Sequence, residues 1–292
     1  MPRVLIAAAG GRVARRVAAA LCARGETPRA LVRDPTKARG VLVDDRGAPL
    51  PVEMVTSDIA DPDGLRRALD GVEIAFLALG SSLDQVALEQ GFIDVAADTG
   101  LPHLVKLSAA AAKSDAVASV LRWHAAIESN LAASGLPHTL VSPSTFADVL
   151  MLAAPSIRQN SRWSGSAPRG RNALVDSADV VDVVVAVLTD RSKRGGRHVL
   201  TGPRGVTWPE VADALTRVLG RPIAYDAVSV DERRLELAAA GLAPWRVELL
   251  LGLDDINRTD LYATATDTVR LMTGHAPRTI EEYIVRNRDA FS

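Results

Sequence analysis

Short apolar runs alternate with stretches of helical periodicity through the first half of the chain. Residues 3–9 form one apolar run, closed by Gly10-Gly11. Residues 12–24 then carry Val13, Val17, Ala20 and Leu21 on one helical face. The same reading predicts strands over residues 28–33, 52–56, 74–79, 103–108 and 138–142, and helices over 62–69, 84–99 and 118–134. Asp61-Pro62 supplies an N-cap and a proline in the first turn of its helix. Strands that are apolar at every position are covered on both faces, and intervening helices supply the crossovers. The pattern therefore predicts an α/β fold with a doubly wound parallel sheet.

Beyond residue 145 the rhythm changes. Residues 156–176 are rich in Ser, Gly and Arg and read as a long loop. A helix over 178–189 and a strand over 197–200 return to the first domain. Thr207-Trp208-Pro209-Glu210 and Thr279-Ile280-Glu281-Glu282 both have the form of a capping box at a helix start. A strand at 223–228 and helices near 208–219, 231–240, 244–252, 266–273 and 280–289 complete the chain. The expected organisation is a dinucleotide-binding domain over residues 1–150. Residues 151–292 rejoin it at about 175–200 and otherwise form a small C-terminal α/β substrate lobe.

Composition narrows the classes. The formal net charge of the 292 residues is −1, with signs mixed, which argues against a nucleic-acid partner bound through a basic surface. Cys22 is the single cysteine, so neither a disulfide framework nor a cysteine zinc site can be built. No His, Asp and Glu cluster has metal-ligand spacing. No apolar run reaches the length that spans a membrane. Met1-Pro2-Arg3-Val4-Leu5-Ile6 reads as a strand rather than a signal peptide, and a cytoplasmic protein with no membrane partner is expected. The pattern leaves room for a homodimer.

The first strand–turn–helix carries the clearest chemistry. In a dinucleotide fold this turn aims helix N–H groups at a pyrophosphate, and glycine serves the tight turn, the phosphate approach and the helix–strand contact. Here Ala8, Gly10, Gly11, Arg12 and Val13 form the turn, and Ala14 follows. Only the middle glycine, Gly11, stands where expected, so Gly10 is the residue expected to relieve the turn. Arg12 opposes the helix dipole unless an anion sits there. Arg33 ends the second strand, where a guanidinium can hold a ribose 2′-phosphate, which favours NADP(H) over NAD(H). Asp58 and Ile59 follow the third strand on the adenine side. Ala78, Leu79 and Gly80 end the fourth, beside the cofactor's path. Ala8 and Ala14 keep open the alternative that no cofactor binds.

These segments resemble the NmrA-like family of NAD(P)-binding proteins, atypical relatives of the short-chain dehydrogenases. The resemblance rests on the glycine turn, Ala30-Leu31-Val32-Arg33-Asp34-Pro35, Ser57-Asp58-Ile59, His103-Leu104-Val105-Lys106-Leu107-Ser108, Trp123-His124-Ala125-Ala126-Ile127-Glu128, Ser134-Gly135-Leu136-Pro137-His138-Thr139 and Leu200-Thr201-Gly202-Pro203. It covers residues 3–290 and implies a Rossmann domain with a small C-terminal substrate lobe. The family includes NAD(P)H-dependent quinone and azo-dye reductases and dinucleotide-binding regulators. The chain departs from the family at Ala8 and Ala14, where glycine is usual, and at Ser142, where arginine is usual. The first departure bears on cofactor binding and the second on the shape of the pocket.

Ordinary short-chain reductases use a tyrosine and a lysine four residues on, and no Tyr-x-x-x-Lys occurs here. His124 and Glu128 stand at that spacing instead, on one helix face. Imidazole titrates near neutrality, and Glu128 is expected to orient His124 and raise its pKa. Ser108 ends the preceding strand, and Lys106 shares its face or lies at the sheet edge. Trp123, Phe146 and Trp163 are candidates to line an aromatic pocket, Trp163 because a polar loop gives it no core to join. Three readings follow. The first is an NAD(P)H-dependent oxidoreductase acting on a small aromatic or quinone-like substrate. The second is a cyclase, isomerase or lyase that uses His124 as acid or base. The third is a dinucleotide-sensing regulatory protein.

Overall fold

The computed structural model describes residues 3–292; the share of the opening-strand expectation that falls on Met1 and Pro2 lies outside the described residues. The first half contains β1 (Val4–Ile6), α1 (Arg12–Cys22), β2 (Arg29–Val32), α2 (Pro35–Arg39), β3 (Glu53–Thr56), α3 (Pro62–Leu69), β4 (Ile74–Leu77), α4 (Gln85–Asp98), β5 (Leu104–Leu107), α5 (Ser119–Ala133) and β6 (His138–Pro143). There follow α6 (Leu150–Asn160), β7 (Arg162–Gly165), α7 (Ser177–Thr189), β8 (Arg197–Leu200), α8 (Trp208–Leu219) and β9 (Ala224–Ala227). The chain closes with α9 (Val230–Ala239), α10 (Pro244–Arg258), α11 (Thr268–Thr273), α12 (Ile280–Arg286) and α13 (Arg288–Phe291).

Seven strands form one sheet in the order β3-β2-β1-β4-β5-β6-β8. Every pairing from β3 to β6 is parallel. The strand order reverses between β1 and β4, and in such sheets the crevice outside the carboxyl ends of those strands receives the ligand. β1, β2 and β4 are buried at every position; β1 and β4 are apolar throughout, and Arg29 of β2 is buried against Glu53 and the carbonyls of Ala68 and Asp70. Leu5, Leu31, Ala75, Leu77 and Leu104 pack with Phe92 and Ile93 of α4 and with Ile127 and Leu131 of α5.

The chain divides into two compact units of similar size. One comprises the residues up to Ser108 with Trp123–Ser142 and Val181–His198; the other comprises Ala109–Arg122, Pro143–Val180 and Val199–Ser292. The second unit takes in residues 109–122, which include the first turn of α5, and resumes at Pro143. Its core joins Leu150 and Ile157 of α6, Trp163, Trp208, Val211 and Leu215, and Tyr283, Ile284 and Phe291. Within it the buried carboxylates of Asp176 and Asp179 are answered by the guanidinium groups of Arg286 and Arg278.

Residues 156–176 are not the uniform loop that their composition suggests. Leu150, Ala154 and Ile157 give α6 a buried face, and the helix stops at Ser161, whose φ is +56°. Trp163 then anchors β7, which pairs in parallel with β9. The polar residues that suggested a loop lie between these buried positions.

Candidate functional site

The turn after β1 is built by hydrogen bonds to its neighbours. Ala7 N–H donates to the Phe76 carbonyl (2.9 Å) and Ala9 N–H to that of Leu31 (3.1 Å). Gly11 N–H closes the turn on the Ala8 carbonyl at 2.8 Å. The reversal puts Ala8 at φ +50°, in the left-handed region that glycine adopts without strain. Gly10 therefore does not relieve the turn; Ala8 bears the strain itself. A Cβ on Gly11 would come within 3.2 Å of the Ala8 oxygen. No side chain caps α1, and its first turn holds no acidic residue. The extra methyl of Ala14 is accommodated in the core, where the residue is 1% exposed.

A cleft of about 520 Å³ opens over this turn. Ala8, Gly10 and Gly11 form one end; Arg33, Asp34 and Lys37 form another; Ser57, Asp58, Ile59, Leu79 and Leu88 complete the wall. Seven of the residues singled out from the sequence for cofactor binding thus meet in one cavity. Arg12, Val13, Ala78 and Gly80 flank it and do not line it. Ser57, Asp34 and Lys37 were missed. Asp34 caps α2: its carboxylate accepts from Thr36 and Lys37 N–H, each at 3.0 Å. Asp58 accepts from Ala60 N–H at 2.9 Å. Arg33 is exposed, and no described residue engages its guanidinium. These features suit a dinucleotide: the helix start offers amides to a diphosphate, and an unengaged cation stands at the end of β2.

Near the carboxyl ends of β4 and β5 lies a buried polar group. Lys106 and Glu89 are both 0% exposed, with Nζ and Oε2 separated by 2.7 Å. Glu89 Oε1 also accepts from Leu79 N–H and Gln85 Nε2, each at 3.3 Å, so α4 holds the end of β4. Lys106 Nζ donates to the Leu107 carbonyl and lies 3.5 Å from His124 Nδ1. β5 is a central strand, so Lys106 is no edge lysine, and its burial keeps it from any ligand.

The expected His124–Glu128 partnership does not form. Glu128 Oε1 accepts from Ser108 Oγ at 2.5 Å, and Oε2 pairs with Arg197. Arg197 also donates to Ser142 Oγ at 3.0 Å. His124 faces the Lys106 ammonium instead. Burial first, and that charge second, hold its pKa well below the usual imidazole value, which reverses the expected rise. The ring is neutral at pH 7, and the residue keeps part of its surface open.

The aromatic candidates do not form one group. Trp123 is half-buried in the first unit; Phe146, also half-buried, and Trp163 belong to the second. Trp163 is 8% exposed and packs edge-on against Tyr225, with ring centroids 5.3 Å apart. It has a core after all. With Trp208 and Tyr225 it lines a cavity of about 170 Å³ within the second unit.

Residues 2–284 match the model of the NmrA-like family. The chain is 33% identical over 293 residues to a (4-alkanoyl-5-oxo-2,5-dihydrofuran-3-yl)methyl phosphate reductase of Streptomyces griseus, covering 99% of each chain. It is 28% identical over 263 residues to an NAD(P)H azoreductase of Xenophilus azovorans, covering 90% of each. Among solved structures it superposes on an Escherichia coli NADPH-dependent quinone oxidoreductase complexed with NADPH, with TM-score 0.87, 22% identity and coverage of 98% of this chain and 99% of the other. From the shared family pattern over nearly its whole length, the chain belongs to the NmrA-like family.

Proposed function

We propose that the protein is an NAD(P)H-dependent oxidoreductase acting on a small aromatic or quinone-like acceptor. The observation that carries this reading is the cleft over the Ala8–Gly11 turn, with the unengaged Arg33 guanidinium in its wall. Relatives named as reductases support turnover over a purely sensing role, and support redox chemistry over a cyclase, isomerase or lyase. No helix among the described residues is long and apolar enough to cross a membrane, in keeping with a small-molecule reductase of the cytoplasm.

Gly10, Gly11 and the start of α1 would hold the diphosphate, with Arg12 and Val13 alongside. Arg33 and Lys37 would hold a 2′-phosphate. Asp58 and Ile59 would border the adenine, and Ala78, Leu79 and Gly80 the nicotinamide side. When bound, the reduced dinucleotide supplies hydride. His124 is the residue assigned to contact the acceptor, and Trp123 of the same unit is the aromatic candidate for that side. Glu128, fixed by Arg197, holds the Ser108 hydroxyl in place at the end of β5. The missing Tyr-x-x-x-Lys pair suits an acceptor whose reduced form needs little proton assistance.

Fluorescence titration with NADPH and NADH tests the cofactor assignment. Arg33→Ala is expected to weaken NADPH by about 10–100-fold, the worth of one or two charge-assisted hydrogen bonds, and to leave NADH nearly unchanged. Equal loss for both nucleotides would remove Arg33 from the 2′-phosphate site.

A further inference from the structure

Lys106 is fully buried, where no ligand can reach it, so any part it takes in the site passes through a neighbour. An ammonium has three protons and no lone pair. Here it is ion-paired with Glu89 Oε2 at 2.7 Å, donates to the Leu107 carbonyl, and lies 3.5 Å from His124 Nδ1. Glu89 is fully buried and Leu107 offers only a backbone carbonyl, so His124, which is partly exposed, is the side chain through which Lys106 can act. We propose that Lys106 is a positioning residue that holds His124 as the neutral tautomer with its proton on Nε2. We propose further that this restricts turnover to acceptors whose reduced form is a weakly basic oxyanion, namely quinones and carbonyls conjugated to further unsaturation. The inference rests on the assignment of His124 to the acceptor side of the site.

The tautomer follows from donor and acceptor counting. A nitrogen that faces an ammonium can only accept, so the single ring proton sits on Nε2. A second proton would place a cation beside Lys106 in a buried setting. The two carboxylates that could offset it are taken: Glu89 of α4 by Lys106, and Glu128 of α5 by Ser108 and Arg197. His124 is therefore a fixed hydrogen-bond donor and not an imidazolium acid. Nor can Lys106 resupply a proton through the ring. Neutralising it would strand the Glu89 carboxylate, ionised and 0% exposed, without its cation.

The acceptor class follows from the missing acid. A hydride passes from the reduced nicotinamide to the acceptor, and the nicotinamide is oxidised. The acceptor's conjugated π electrons move onto oxygen, and Nε2–H stabilises the oxyanion by a hydrogen bond without transferring its proton. The anion then takes a proton from water. A phenolate or enolate survives that interval, whereas the alkoxide from an isolated ketone demands a proton as it forms.

Nitrogen-15 correlation spectra of the histidines, with His124 assigned by its loss in His124→Gln, test the tautomer without turnover. The expected pattern is an Nε2–H imidazole that stays neutral through the range in which a free imidazole takes up its second proton. In Lys106→Met the ring is expected to regain tautomer exchange or titration. An Nδ1–H ring, or an imidazolium near pH 7, in the wild-type protein would overturn the proposal. Because this reading uses the unaltered chain, it stands even where Lys106→Met fails to fold. In steady-state assays with NADPH, quinones and conjugated carbonyls are expected to exceed their saturated counterparts by about a thousandfold in kcat/KM, with kcat flat across neutral pH. Lys106→Met is expected to lower kcat about 10–100-fold with little change in KM. A saturated ketone turned over as fast as its conjugated analogue would refute the acceptor class. No turnover with any acceptor, beside an intact Nε2–H spectrum, would count against the reductase reading and leave the role of Lys106 standing.

Discussion

Ala8 shows how one methyl group can be tolerated at a strained position. Its φ of +50° places Cβ against the following carbonyl, at a cost of about 1–2 kcal/mol. Glycine removes that strain but gives the unfolded chain more freedom, worth about 0.4–1 kcal/mol in the other direction. Ala8→Gly is therefore expected to raise stability by about 0.5–1 kcal/mol, read from the denaturation midpoint in urea, without weakening NADPH. A lower midpoint would show that the strain is not there. At this scale the sequence was informative for residues whose function is local. Gly11 and Arg33 were recognisable because a turn and a strand end fix what they face. The Lys106–Glu89 pair was not, because two buried charges reveal themselves only by meeting across β5 and α4. The same blindness misassigned Glu128, whose partners Ser108 and Arg197 lie 20 and 69 residues away in the chain.

Elements were most legible where their ends carry chemistry. The capping boxes at Thr207 and Thr279 form as their spacing predicts, and Asp61 accepts from Asp63 N–H at the start of α3. A further box at Ser229 passed unnoticed, as did α2, whose five residues are too few to show periodicity. α6 and β7 were lost in a polar stretch because their buried positions are sparse. One contact between elements is demanding. A Cβ on Gly64 of α3 would lie 1.7 Å from Ser57 Oγ and 2.6 Å from Asp61 Oδ2. Gly64→Ala must push α3 away from the end of β3, where Ser57 and Asp58 line the cleft. The expected loss is about 1–3 kcal/mol of stability together with weaker NADPH binding. Unchanged affinity would mean that the Ser57–Ile59 wall does not touch the nucleotide.

For the whole molecule, a buried histidine ties stability to pH. His103 in the first unit is 8% exposed, with Nε2 2.8 Å from Thr139 Oγ1. Burial, then the charges of Arg194 and His138, lower its pKa to about 4. A histidine held neutral in the fold favours the native state above its unfolded pKa of about 6.5, and that contribution is lost as pH falls from there toward 4. On the order of 2–3 kcal/mol is at stake. His103→Gln is expected to show a smaller drop in urea midpoint between pH 7 and pH 4.5 than the parent protein. An equal drop would place the acid sensitivity elsewhere.

The interleaved chain also has a consequence for synthesis. In the finished sheet β6 is flanked by β5 and β8, and Leu140 N–H donates to the Gly196 carbonyl at 2.9 Å. While the polypeptide emerges from the ribosome, β1 to β6 are complete long before the segment that flanks β6 exists. During that interval β6 offers a bare row of amides and carbonyls to any other nascent strand, so crowded expression, more than heat, is the hazard this topology invites.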